Sequence, residues 1–227
     1  MKKELDEKTR SENRCVSTFC AFIFWAAFLN ILEAAGKIYL RYKIKDATIL
    51  NDYQYYLSAG NVAVLIFVFL ICIIVVRKAD YYTANVKPLL LIWGVILIGA
   101  SVIYEITSIL YSRAISQIFT VTSQKQYIYL YNSTHGFKYI GMMVAITLGT
   151  IMTGIMLKSK WLIFLSTFIM TVFIGAFAVF QMYTLNLDFI GKSVGIVWTS
   201  VIYHLSETAG LLLMALYVRI KYYKKCK

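Results

Sequence analysis

Six stretches of this chain, 16–36, 57–76, 88–111, 137–157, 161–184 and 189–218, each run for at least twenty residues with at most two charged side chains. That feature constrains the fold more than any other. A helix needs about 20 apolar residues to cross about 30 Å of hydrocarbon. Barrel strands would be about 10 residues long with alternating polarity, so helices are expected and a barrel is not. The expected fold is an all-α integral membrane protein, a bundle of six transmembrane helices. Composition agrees: 60% of the 227 residues are hydrophobic and 15% are charged, against about 25% charged in soluble domains.

The first stretch is too long for the apolar core of a signal peptide, and no small-residue cleavage site follows it, so it reads as a retained span. Pro88, the single proline, sits where the first turn of a helix tolerates it. The last stretch is the longest and is expected to tilt or to extend beyond the bilayer.

Charge sets the expected orientation. Of the 23 Lys and Arg residues, fifteen fall in segments 1–15, 77–87, 158–160 and 219–227. Those segments share one side, and positive charge collects in the cytoplasm. Both ends are therefore expected in the cytoplasm, and the plasma membrane is the expected location. The domain reading is a cytoplasmic segment 1–15, a six-helix domain 16–218 and a basic tail 219–227. Segment 1–15 carries both charge signs and reads as a short surface helix or as disordered. The net charge of +12 then marks orientation, with contact to anionic headgroups by the tail as a second use. The basic residues are spread over every loop, so nucleic acid is not an expected partner. No soluble module is expected on this chain, which sets aside kinase, nucleotide-binding and DNA-binding activities.

The two longer outside loops show period-two patterning at 38–45 and 127–131. Such patterning reads either as a small extracellular sheet or as helices continuing past the membrane with tyrosines at the headgroups. Asn132-Ser133-Thr134 is a glycosylation triplet in the second loop.

Ionisable groups inside spans are costly and often mark function. Here they are Glu33, Glu105, His204 and Glu207, accompanied by Asn30, Asn61 and Gln181. Ser200, Tyr203, His204 and Glu207 share one helical face by their spacing of three and four, and Ser101, Tyr104, Glu105 and Ser108 repeat it. With His135 just before the fourth span, these groups are expected to converge on a cavity open to the outside and tapering towards His204 and Glu207. Glu105, His204 and Glu207 are the expected proton- or solute-binding groups, with Tyr104, Tyr203, Asn30 and Glu33 lining the mouth. A Glu/His cluster suits carrying protons or binding a cationic solute. The opposing view is that polar side chains simply hold helices together, at about 0.6–2 kcal/mol each.

Segment 101–107 echoes 200–206 and sets Glu105 beside His204 in register. Three spans plus three would give an inverted repeat, a common transporter plan. The first two spans of each half show no such likeness. Gly191 and Gly195 form a small-residue packing motif.

Other chemistries fit poorly. The cysteines Cys15, Cys20, Cys72 and Cys226 have neither disulfide nor metal spacing. Zinc would need three ligands from Glu105, His204, Glu207 and His135, and haem would need paired histidines at one depth. No cofactor and no metal are expected. The leading expectation is binding or translocation of a small solute or ion, with protons as a coupling ion, through the outward cavity. The first alternative is a non-catalytic subunit or sensor acting through a partner membrane protein or a second copy of itself. The second is an intramembrane enzyme using a Glu/His pair. The expected partners are the lipid bilayer and a small solute or ion.

Overall fold

The computed structural model describes residues 2–44, 47–77, 86–118, 124–185 and 193–223, without the side chains of 2–6, 8, 47, 48, 51, 86, 87, 107, 108, 110–138 and 179–200. Among the described residues there are six helices and no strand. They are α1 (Lys2–Lys43), α2 (Ala47–Arg77), α3 (Val86–Ile118), α4 (Gln124–Met156), α5 (Lys160–Leu185) and α6 (Ser193–Tyr222). Each is long and apolar enough to cross a membrane. The period-two segments at 38–43 and 127–131 are helical, so the sheet alternative is overturned. A helix already satisfies its own backbone groups, whereas a two-stranded sheet needs a partner face to be stable. Segment 1–15 is likewise helical from Lys2 and continuous with the first span.

α1 has 42 residues and a length of about 63 Å at 1.5 Å per residue, twice the hydrocarbon thickness. It ends on Arg41 and Lys43, cations that suit the negative end of the helix dipole. Pro88 lies in the first turn of α3, where its missing N–H costs nothing.

Successive helices are antiparallel. Cys72 of α2 lies beside Thr18 of α1, while Asn61 reaches back to Leu29. Cys20 donates to the Ala215 carbonyl at 3.5 Å, while Asn30 reaches His204. The Lys2 end of α1 and the Tyr222 end of α6 therefore share one end of the bundle, here the near end. The connections α1–α2, α3–α4 and α5–α6 lie at the far end.

Packing divides the bundle into two halves. α1, α2 and α3 pack mutually as a triangle, and so do α4, α5 and α6. Two seams join the triangles: α1 against α6, and α3 against α4. Exchanging α1 with α4, α2 with α5 and α3 with α6 leaves this adjacency unchanged. In each half a phenylalanine of the middle helix lies on a glycine of the third, Phe69 on Gly94 and Phe173 on Gly210.

The near half of the interior is mainly apolar. Phe19, Phe22, Ile23, Leu89, Trp93, Leu162 and Met214 are fully buried there. Trp93 donates to Thr153 Oγ1 at 2.8 Å across the α3–α4 seam, with its ring against Gly149. Cys15, Cys20 and Cys72 are buried free thiols, as small apolar residues would be, and Cys226 lies outside the described residues. The outer surface is also apolar: Phe67, Ile74 and Phe164 are 64%, 58% and 65% exposed. Such a belt suits lipid as solvent and not water.

At the near end, Lys158 takes a left-handed φ of 50° between α4 and α5. The Ser159 N–H closes the turn on the Gly154 carbonyl at 2.8 Å, a Schellman-type ending that glycine usually supplies. Tyr222 Oη donates to the Leu157 carbonyl at 3.2 Å, and Lys221 Nζ lies 3.3 Å from Ser159 Oγ, so α6 braces this turn.

Candidate functional site

The far half of the interior differs from the near half because α1 and α6 carry polar side chains there. Asn30 and Glu33 lie one turn apart on α1. His204, Glu207 and Thr208 lie within about one turn on α6. The antiparallel α1–α6 seam brings the two sets together. Asn30 Nδ2 donates to the His204 carbonyl at 3.0 Å and lies 3.3 Å from Thr208 Oγ1. These two contacts fix the amide and turn Oδ1 onto Nδ1 of the His204 ring. An amide oxygen only accepts, so this contact is made with a hydrogen on Nδ1. Glu207 Oε2 lies 4.0 Å from His204 Nδ1.

Glu33 is held from three directions. Ser58 Oγ of α2 donates to Oε1 at 2.7 Å, and Asn61 Nδ2 of α2 lies 3.5 Å from Oε2. Lys37, one turn along α1, forms an ion pair with Oε1. Both members of the pair are about nine-tenths buried, with side-chain exposures of 12% for Lys37 and 11% for Glu33. A carboxylate taken out of water requires such donors, since desolvating an ion costs several kcal/mol by itself.

Between these groups lies a cavity of about 60 Å³. Its polar lining is Asn30, Glu33, Asn61, Ser101 and Glu207, and its apolar lining includes Leu29, Leu65, Leu97 and Met142. That volume has room for about four water molecules or one small, partly hydrated ion. A cavity for a drug-sized organic ligand is far larger, about 300–1,000 Å³.

Of the residues expected to form the site, Asn30, Glu33, Asn61, Ser101 and Glu207 line this cavity, and His204 stands behind Asn30. Tyr203 is buried on another side of α6. Its ring stacks on Tyr139 of α4 with centroids 4.2 Å apart. Tyr139 in turn donates to the Phe173 carbonyl at 2.7 Å. Adjacent helical positions differ by about 100°, so α6, packed on both sides, sends His204 to α1 and Tyr203 to α4. Glu105 and Tyr104 are half-buried on α3 and do not line the cavity. α3 packs on α1, α2 and α4, not broadly on α6. The two seams pair α6 with α1 and α3 with α4, so α6 and α3 meet different helices. The side chains of His135, Gln181, Ser108, Ser200, Gly191 and Gly195 lie outside the described residues.

Ser58, Thr208 and Lys37 belong to the site and were not expected there. Each carried a signal. Lys37 follows Glu33 by four residues, Thr208 follows His204 by four, and Ser58 precedes Asn61 by three. These are the spacings at which helical side chains meet. Among the described residues, no group of three His, Cys, Asp or Glu side chains could hold a metal ion.

Comparison with protein-family models, with curated proteins and with solved structures gives no match to this chain.

Proposed function

We propose that this multi-pass membrane protein binds and passes protons or a small inorganic cation through the far-end cavity. The observation that carries this reading is that two carboxylates, Glu33 and Glu207, line one cavity of about 60 Å³ within an apolar bundle. Carboxylates at membrane depth are expensive and are retained where they meet cations or protons. The cavity size favours an ion over an organic solute. His204 adds an imidazole, a group able to exchange protons, beside Glu207. In this reading the near end faces the cytoplasm of the plasma membrane and the cavity opens outward, as the charge bias suggests.

The test is ion flux in liposomes that contain the purified protein and a trapped pH-sensitive dye. An imposed gradient of pH, or of sodium or potassium ions, collapses faster with the wild type than in empty liposomes. Glu33→Gln and Glu207→Gln return the rate to that of empty liposomes while circular dichroism stays helical. Wild-type liposomes no leakier than empty ones overturn the reading. Equal flux in all three proteins removes the cavity from the path.

A further inference from the structure

Lys37 occupies a particular place relative to the cavity. Glu33 lines the cavity and Lys37 does not. One helical turn of α1 separates them, and Lys37 is on the far-end side, where the proposed path opens. The Lys37 ammonium pairs with the same Oε1 that receives Ser58. An incoming cation bound at Glu33 would need the negative charge that Lys37 already covers.

We infer that Lys37 is a tethered competitor for the cation site at Glu33, displaced when an ion or proton arrives from the far end and restored when it leaves. The inference rests on the proposed function. It assigns Lys37 a role apart from passive stabilisation: the ammonium keeps the carboxylate neutralised between occupants. Four methylenes let the ammonium swing away from Glu33 along α1 towards the far end, as lysine stems do when the charged head reaches for water. The helix need not move, because the exchange takes place between two positive groups at one carboxylate. A fixed positive charge would hold the site shut, and a neutral side chain would leave it open to any cation.

A membrane-permeant carbodiimide tests this. The reagent modifies carboxyl groups that carry a proton and spares those held in ion pairs, and peptide mass spectrometry reads the modification at Glu33. Liposomes of the wild type, Lys37→Gln and Lys37→Arg are treated in parallel, with and without sodium chloride. Labelling of Glu33 is expected to be low in the wild type and roughly fivefold higher or more in Lys37→Gln. Sodium ions suppress the labelling of Lys37→Gln. Lys37→Arg keeps the charge and the fold, and labels no more than the wild type. Equal labelling in wild type and Lys37→Gln overturns the inference even if wild-type flux is present. So does Lys37→Arg labelling like Lys37→Gln, which covers the case of a Gln variant that folds poorly. The labelling pattern as expected, with no wild-type flux, upholds the Lys37–Glu33 competition and overturns passage of ions.

Discussion

Asn30 of α1 meets His204 of α6 twice, at its backbone carbonyl and at its ring. The amide nitrogen donates to the carbonyl at 3.0 Å, and the amide oxygen faces Nδ1. Replacing His204 therefore leaves one contact standing, while replacing Asn30 removes both, along with the approach to Thr208. Asn30→Ala is expected to destabilise the bundle by about 1–3 kcal/mol, at about 0.6–2 kcal/mol per interhelical bond. Thr208→Val, which keeps the shape, should cost less than about 1 kcal/mol. Thermal unfolding in detergent, followed by circular dichroism, checks the order.

The α3–α4 seam depends on a close approach. A Cβ at Gly149 would stand 2.9 Å from the Trp93 ring, whereas nothing lies within 4 Å of one at Gly60. Gly149→Ala is expected to cost about 1–3 kcal/mol through overpacking. Gly60→Ala should be neutral or stabilising by up to about 1 kcal/mol. Trp93→Phe gives up the bond to Thr153 but makes room, so it should recover part of the loss when combined with Gly149→Ala. A double-mutant cycle with no coupling would contradict the contact.

Tyr139 gives a separate handle on stability. Its hydroxyl donates to the Phe173 carbonyl at 2.7 Å and receives Ser206 Oγ at 3.1 Å, away from the cavity lining. Tyr139→Phe should lower stability by about 1 kcal/mol and leave ion flux as in the wild type. Loss of flux in a folded Tyr139→Phe protein would extend the path to the α4 side.

Lys158 holds a left-handed backbone conformation that costs a residue with a Cβ about 1–2 kcal/mol. Lys158→Gly should raise the unfolding temperature, and Lys158→Ala should not. An unfolding scan of both variants measures it.

Orientation is open to chemical labelling. Tyr42, 83% exposed near the far end of α1, and Tyr223, just past the near end of α6, lie at opposite ends of the bundle. In a Cys226→Ser background, Tyr42→Cys should react with an impermeant thiol reagent added outside intact cells. Tyr223→Cys should react only after lysis. The reverse pattern would invert the proposed orientation.

Much of the architecture was legible in the sequence because the bilayer imposes a length on every span, and unbroken apolar runs of that length have few alternatives. At 38–43 and 127–131 the helical alternative holds and the sheet does not; alternation in a tyrosine-rich helix looks like alternation in a strand over so few residues. The cavity was half legible. Asn30, Glu33 and Glu207 stood out as charges and amides in apolar surroundings. Tyr203 and Glu105 were grouped with them because spacing along one helix identifies a face but not the neighbour it meets. α6 is buried on two sides, so residues 203 and 204 diverge, and that depends on which helices are adjacent. Lys37 and Ser58 were overlooked for a different reason: near a span end they resemble ordinary interfacial residues until a buried carboxylate is found beside them.

Each triangle of helices holds three members, an odd number. A unit of three spans starts on one face of the membrane and finishes on the other. Severed between α3 and α4, the chain would yield two pieces that must be threaded into the bilayer in opposite senses before the α1–α6 and α3–α4 seams could close. The insertion machinery would have to read contrary instructions from the leading ends of two fragments that occupy matching places in the bundle. Continuous synthesis removes that demand, since the first triangle, once seated, dictates the sense of the second.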